Sequence, residues 1–197
     1  MCKLRARVEE QPISGLAEYG SVPSRFVVSS ILDVQMLENG LGGWRLTERG
    51  LAVPYEKDYD HREPPTRWAS QWDLANWLIL AAYEGDPDAR VGGAVLAHRT
   101  PGVHMLEGRD DLAVLWDIRV HPAVRGRGIG QQLFAAAVRA ARRWGCSWLK
   151  IETQNTNVGA CRFYARQGCQ LRGIHPGVYP DFPDEVQLLW YYDLTAS

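Results

Sequence analysis

The 197-residue sequence contains no apolar run long enough to span a membrane. Residues 1–12, MCKLRARVEEQP, carry no apolar segment after their basic residues, so we expect no secretory signal peptide. The net charge is only −1, and a broad nucleic-acid-binding surface is therefore not expected. These absences predict a globular protein of the cytoplasm that has neither nucleic acid nor a membrane as its partner.

Cysteine is scarce, and the chain contains no Cys-x-x-Cys pair. No histidine-rich pattern accompanies the cysteines, so a metal site is not expected. We expect the thiols to be reduced and mostly buried, as is usual in the cytoplasm. They are Cys2, Cys146, Cys161 and Cys169.

Two common nucleotide-binding patterns are also missing. The chain has no Gly-x-Gly-x-x-Gly, because Leu133 stands where the third glycine would fall, which disfavours a Rossmann site. No Gly-Lys-Ser or Gly-Lys-Thr follows a glycine-rich loop, which excludes a Walker loop. A phosphate-binding site, if the chain has one, must therefore be of another type.

Residues 112–131, LAVLWDIRVHPAVRGRGIGQ, predict a strand, a glycine-rich loop and the start of a helix. The strand, 112–120, is rich in Val, Leu, Ile and Trp and ends before Pro122. The helix begins without a side-chain cap, so its first N–H groups have no partner and its dipole attracts anions. Glycines let a ligand approach the backbone, and Arg125 and Arg127 add positive charge. The pattern predicts a pyrophosphate-binding loop.

Hydrophobic periodicity and turn residues predict the remaining elements. Antiparallel strands come first and strand–helix–strand units follow, which predicts an α/β fold around one mixed sheet. We expect this domain to span residues 25–197, after a weakly patterned leader at 1–24. The predicted strands are 25–36, 44–53, 76–84, 91–98, 147–153, 169–174 and 185–193; the helices are 128–144 and 157–167, with a helical turn at 68–73 and loops at 54–66 and 175–184.

Acidic residues cluster in three segments, 56–63, 107–111 and 181–185. Such clusters fit a cationic substrate. The segment 56–63 has two interpretations: it is either a solvated surface loop or a lid that attracts the substrate.

Two motifs resemble the signatures of the GNAT N-acetyltransferases. RGRGIG after the strand WDIRV resembles the R-x-x-G-x-G/A loop, and NVGACRFYARQGC at 157–169 is similar to N-x-x-A-x-x-F-Y-x-x-x-G-F, with Cys169 in place of the final Phe. VPYEKDYD, IETQNTNVGACRFY and DEVQLLWYYDL, spread over residues 52–194, resemble the streptothricin N-acetyltransferase branch. In that branch a glutamate usually stands where this chain has Trp116.

The resemblance implies a GNAT-like fold, with a mainly antiparallel central sheet, a parallel splayed strand pair and flanking helices. It implies that acetyl-CoA lies between the strands 112–120 and 147–153, with backbone groups pairing with the pantetheine arm and the loop amides holding the pyrophosphate. The cofactor-binding residues that it indicates are Ile118, Arg119, Val120, Arg125, Gly126, Arg127, Gly128, Ile129, Gly130, Gln131, Asn157, Ala160 and Tyr164.

The resemblance also implies direct attack of a substrate amine on the thioester. A lysine-like amine has a pKa of about 10.4, so a basic group must assist its deprotonation. Asp117 and Glu152 are the candidate bases. Asp117 has the better claim, because strand alternation places it on one face with Arg119 and away from Trp116. Asp184 or Glu185 could serve instead.

Tyr164 is the candidate general acid, since a phenol can donate a proton to the departing thiolate. It could equally be a half-buried tyrosine of an amphipathic helix. Asn157 has a similar alternative as an ordinary helix N-cap.

The predicted function is transfer of acetyl from acetyl-CoA to a primary amine of a small cationic molecule, such as a streptothricin-like antibiotic. Two alternatives remain: a non-catalytic acyl-CoA sensor and a protein or peptide N-acetyltransferase. Exposed edge strands and the Trp/Tyr-rich tail are compatible with a homodimer.

Overall fold

The structure is a computed structural model that describes residues 6–85 and 89–196. Seven strands form one mixed sheet in the order β1-β4-β5-β6-β7-β9-β8, and β2 and β3 form a separate hairpin. This is the predicted α/β fold. The strands are β1 Arg7–Gln11, β2 Phe26–Met36, β3 Trp44–Lys57, β4 Trp77–Glu84, β5 Ala89–His98, β6 Leu112–Val120, β7 Trp148–Gln154, β8 Gln170–Pro176 and β9 Val186–Asp193; the α-helices are α1 Leu16–Gly20, α2 Trp68–Gln71, α3 Ile129–Arg143 and α4 Val158–Arg166.

The chain divides into two compact units. Unit 1 contains residues up to 25, residues 58–150 and the chain from 193 onward. Unit 2 contains residues 26–57 and 151–192. Each unit is therefore assembled from segments that are distant in sequence.

In unit 1 the strands β1, β4, β5 and β6 are successive antiparallel neighbours, and α3 packs on β5 and β6. The apolar residues of α3 recur at helical spacing, so one face of the helix is buried. Gly92 on β5 permits the close packing, because a Cβ there would lie 2.8 Å from the Arg119 carbonyl oxygen and 3.2 Å from Leu133. A hydrophobic core cluster of buried residues in unit 1 includes Tyr19 and Ile79.

In unit 2 the hairpin β2–β3 and the antiparallel pair β8–β9 accompany the helix α4. The buried residue Asn155 connects two of these elements. Its backbone and side chain exchange hydrogen bonds with Leu32 of β2, at 2.9 and 3.1 Å. They also exchange hydrogen bonds with the backbone of Val186 of β9, at 3.0 and 2.9 Å. Asn155 therefore supplies hydrogen-bond partners to backbone groups of two strands, β2 and β9, that the sequence pattern does not connect.

Most predicted elements are confirmed within a few residues. The strand 112–120 has the predicted bounds, and the strands predicted at 76–84 and 91–98 form the expected hairpin. The prediction of a loop from residue 54 is wrong at its start, because β3 continues through Lys57. No element was predicted in the segment 1–24, where the structure places β1 and α1.

The described thiols have the predicted state. Cys146, Cys161 and Cys169 are free and buried, whereas Cys2 lies outside the described residues. Burial raises the pKa of the Cys146 thiol to about 11 and that of Cys169 to about 12. Among the residues that the structure describes, no cluster of His, Cys, Asp and Glu is suited to a metal ion. None of the described helices is long and apolar enough to cross a membrane.

Candidate active site

The glycine-rich loop of unit 1 leaves the N-terminus of α3 without side-chain cover. Gly128 precedes the helix at φ +89°, and no side chain caps the first N–H groups. Gly126 lies at φ +79°, and a Cβ on either glycine would have no heavy atom within 4 Å. Free N–H groups at the positive end of a helix dipole, with open space over the loop, fit a phosphate group. The loop therefore fits the pyrophosphate site that its sequence predicts.

The two loop arginines have partners in unit 1, which the sequence did not predict. Arg125 donates from Nε to the Val120 carbonyl oxygen at 3.0 Å and from an Nη to that of Arg25 at 2.8 Å. Arg127 forms an ion pair with Glu84 at 2.9 Å. Partial burial lowers the pKa of Arg125 below its ordinary value. Both side chains brace the loop, and anion binding by its backbone amides stays a prediction.

The end of β6 is held in register by β5. Ile118 lies opposite Ala94 and Val120 opposite Gly92. The N–H of His121 then donates to the carbonyl of Val91 at 2.8 Å. The strand that leads into the loop is therefore well fixed. Its backbone contacts to a pantetheine arm stay a prediction.

The Arg119 side chain is buried in unit 1, with only 3% of its surface exposed. Its guanidinium donates to Asp117 Oδ2 at 2.9 Å and to Asp60 Oδ2 at 2.9 Å, and it lies over the Tyr19 ring. Burial opposes its charge, but Asp117, Tyr19 and Asp60 together raise the pKa of Arg119. Burial raises the pKa of Tyr19 well above its usual value. Asp117 thus balances a buried cation.

A β-bulge changes the predicted faces of β6. Val95 lies opposite Asp117 but Leu96 lies opposite Leu115, so Trp116 is the extra residue. The ring centroids of Trp116 and Trp72 lie 4.8 Å apart. It also contacts Trp68, the neighbour of the Tyr19 ring on which Arg119 lies. The prediction that Trp116 faces away from Arg119 is therefore wrong, because the bulge interrupts strict alternation.

In unit 2 the Glu152 carboxylate is held by neutral donors. The Tyr179 hydroxyl donates to Oε1 at 2.6 Å, and the Gln187 amide donates to Oε2 at 2.7 Å. The Gln154 amide donates to the Tyr179 oxygen at 3.2 Å. Sequence reasoning missed Tyr179 and Gln187. The one available signal was a polar Gln187 in the apolar strand EVQLLWYYD.

Asn157 caps α4, because its Oδ1 accepts from the N–H of Ala160 at 3.1 Å. Its interpretation as an N-cap is confirmed, and its contact with a cofactor stays a prediction. Tyr164 on the same helix is buried, with 4% of its surface exposed. Cys161 beside it lies 3.4 Å from Thr153 Oγ1. The motif therefore builds a firmly packed helix in unit 2.

Several acids of the three acidic segments are balanced within their own unit. In unit 2, Lys57 binds both carboxylate oxygens of Glu185 at 2.6 Å. In unit 1, Lys150 pairs with Glu107 at 2.6 Å, and Asp60 pairs with Arg119. These carboxylates stabilise the fold, whereas Asp184 is exposed. The predicted acidic attraction of a substrate is therefore weaker than the sequence implies.

Comparison with known proteins identifies the same family as the sequence motifs. The sequence model of the Acetyltransferase (GNAT) family matches residues 44–169. The chain is 26% identical to Streptothricin acetyltransferase A of Bacillus subtilis (strain 168), over 81% of this chain and 84% of that protein. It is 26% identical to Streptothricin acetyltransferase of Escherichia coli, over 90% of each.

Two solved structures share the fold. A nourseothricin acetyltransferase superposes with a TM-score of 0.74 at 21% identity, covering 96% of this chain and 98% of that one. A Bacillus anthracis protein assigned as a streptothricin acetyltransferase, solved in complex with acetyl coenzyme A, superposes with a TM-score of 0.73 at 23% identity, covering 96% and 99%. The family match contains both the glycine-rich loop and α4. The chain belongs to the GNAT family and is an acetyl-CoA-dependent N-acetyltransferase.

Proposed function

We propose that the chain acetylates a primary amine of a small cationic molecule of the streptothricin type. The observation that carries the proposal is the Glu152 carboxylate, which neutral donors hold in place without neutralising its charge. Such a group suits the deprotonation of an amine. The class of amine is taken from the two streptothricin acetyltransferases that resemble this chain over most of its length.

The residues of the loop fit acetyl-CoA, which supplies the acetyl thioester. Backbone N–H groups of residues 125–131 would hold the pyrophosphate at the uncapped start of α3. Backbone groups of Ile118 and Val120 would pair with the pantetheine amides. Asn157 caps α4 through Oδ1, and its side-chain N–H groups would donate to the pantetheine arm.

We place the base at Glu152 rather than Asp117. Protonation of Asp117 would remove charge compensation from the buried Arg119 guanidinium, which is costly in a poorly solvated site. Protonation of Glu152 leaves no buried cation behind, since its donors are neutral. A protonated amine with a pKa of about 10.4 costs about 4.6 kcal/mol to deprotonate at pH 7. This cost adds to the reaction barrier unless a base such as Glu152 takes up the proton.

Tyr164 would act as the general acid toward the departing sulfur. A phenol has a pKa near 10 and a thiol near 8.5, so the transfer is close to balanced. Burial of Tyr164 in α4 supports a fixed orientation of the hydroxyl. The free, buried thiols support a reducing compartment, and we place the reaction in the cytoplasm.

The test is thiol release from acetyl-CoA by the purified chain in the presence of single amines. The panel contains streptothricin, an aminoglycoside, a polyamine, free lysine and N-terminal peptides. We expect turnover with streptothricin and loss of turnover, with acetyl-CoA binding retained, in Tyr164→Phe. Turnover with peptides alone would favour a peptide N-acetyltransferase. Binding without turnover on any amine would favour an acyl-CoA sensor.

A further inference from the structure

Tyr179 lies in the segment 177–185 between β8 and β9, and no sequence motif marks Tyr179 itself as functional. Its side chain is half-buried, and its hydroxyl donates to Glu152 Oε1 at 2.6 Å. The distance is in the range of a charge-assisted O–H···O bond. A loop residue therefore makes a short hydrogen bond to the carboxylate on β7.

We infer that Tyr179 is a positioning residue that orients Glu152 and lets its Oε1 accept the proton of the substrate amine. The inference rests on the proposed role of Glu152 as the base. It adds a residue from a separate element and assigns the proton to one oxygen.

The donors of the two shorter hydrogen bonds to Glu152, Tyr179 and Gln187, differ in what they can do after proton transfer. The Gln187 nitrogen on Oε2 can only donate, so a proton on that oxygen would face an N–H group. A tyrosine hydroxyl can both donate and accept. When Oε1 takes up a proton, the Tyr179 hydroxyl can rotate and accept from it, so the contact persists in both states. Oε1 is therefore the proton-accepting oxygen and Oε2 is the anchored one.

Gln154 supports the same assignment. Its amide donates to the Tyr179 oxygen at 3.2 Å and makes a longer hydrogen bond to Glu152 Oε1 at 3.5 Å, and the shorter of the two remains when Oε1 is protonated. Because a hydroxyl oxygen has two lone pairs, Tyr179 can keep this bond from Gln154 and still accept from a protonated Glu152. Gln154 and Glu152 lie on the same face of β7, two residues apart, so both reach the Tyr179 hydroxyl.

The experiment compares Tyr179→Phe with wild type, using the amine that gives turnover. Loss of a hydrogen bond to a charged group predicts about a tenfold fall in kcat. The acid limb of the kcat/KM profile should move to higher pH, because the charged carboxylate loses a hydrogen-bond donor. The substrate amine is the same in both measurements, so the difference belongs to the enzyme. The Kd of acetyl-CoA should not change.

Tyr191→Phe is the matched control, since Tyr191 is a half-buried tyrosine of unit 2 whose ring faces Arg172. We expect it to leave kcat and the pH profile unchanged. A double-mutant cycle with Glu152→Gln should show no further loss from Tyr179→Phe.

An equal fall in kcat from Tyr179→Phe in the presence and absence of Glu152 would overturn the inference, because Tyr179 would then act independently of that residue. An unchanged kcat and pH profile would overturn it as well. Turnover that survives Glu152→Gln would remove the base on which the inference depends, while leaving amine acetylation in place. A wild-type chain with no turnover on any amine would sink the proposed function and the inference together.

Discussion

The sequence predicts two candidate bases, Asp117 in unit 1 and Glu152 in unit 2. Their carboxylates have opposite surroundings in the structure. Asp117 binds the guanidinium of a buried arginine that a second aspartate, Asp60, also binds. Glu152 binds a hydroxyl and an amide. A carboxylate that compensates a buried cation contributes to stability and resists protonation. A carboxylate with neutral donors is oriented and can still take up a proton. The partner, more than the strand position, separates a structural acid from a candidate catalytic one.

The largest expected effect is on Glu152. Glu152→Gln keeps the size and an acceptor oxygen but removes the basic group. We expect kcat to fall by about 10²–10⁴-fold, which is the usual contribution of a general base. The unfolding midpoint in urea should change little, because the hydrogen-bond donors at this carboxylate, Tyr179 and Gln187, are neutral. Steady-state thiol release together with denaturation separates these two readouts.

Glu48→Gln is the control for the loss of a negative charge in unit 2. Glu48 pairs with Arg162 and with the Ser30 hydroxyl on the hairpin. We expect near-normal kcat, since surface ion pairs contribute little. A large loss of kcat in this variant would mean that net charge, rather than proton transfer at Glu152, sets the rate.

The next effect is on stability, at Asp117. Asp117→Asn leaves the buried Arg119 with Asp60 as its charged partner, so we expect the free energy of unfolding to fall by about 2 kcal/mol. The kcat at a temperature where the variant stays folded should be close to wild type. Urea denaturation and steady-state rates measure the two. Normal stability with a 10²-fold lower kcat would reverse the comparison and make Asp117 the base.

Asp111→Asn is the matched control in unit 1. Asp111 also binds an arginine, Arg109, but this pair is exposed to solvent. The Arg109 guanidinium donates to both carboxylate oxygens at 2.9 Å and lowers the pKa of Asp111 below its ordinary value. Because water screens it, its loss should leave the urea midpoint almost unchanged.

Sequence patterns predicted the local features of the site. The uncapped start of α3 and the Asn157 cap of α4 follow from residues that are neighbours in the chain. Glycines near a helix start and an Asn three residues before an N–H group act within one turn. Such features need no knowledge of the fold, which is why they were predicted with accurate bounds.

The partners of the acids could not be predicted, because they come from distant parts of the chain. The positive charge of Arg119 is balanced by Asp60 as well as by its neighbour Asp117. The guanidinium also lies over the Tyr19 ring. Glu152 is held by Tyr179 and Gln187. The bulge at Trp116 depends on the register with β5, which the pattern of one strand does not contain.

The smallest expected effect is at the loop itself, where Arg127 is paired as Arg119 is, but near the surface. Glu84 holds Arg127 at 2.9 Å, and Glu84 Oε1 is buried without a hydrogen-bond partner among the described residues. Glu84→Gln keeps the shape and removes the opposing charge. We expect the Kd of acetyl-CoA to fall about threefold at low salt, because solvent screens the half-exposed Arg127 guanidinium and a screened pair is worth about 1 kcal/mol or less.

The gain in acetyl-CoA affinity should become smaller as salt is added, since the Debye length falls to about 8 Å at 0.15 M ionic strength. Isothermal titration at two salt concentrations measures it. In an Arg127→Gln background the Glu84→Gln change should have no effect, because no guanidinium is left to release. Weaker binding in Glu84→Gln would mean that the ion pair orders the loop amides. The charge of Arg127 would then matter less for the anion than its role in bracing the backbone.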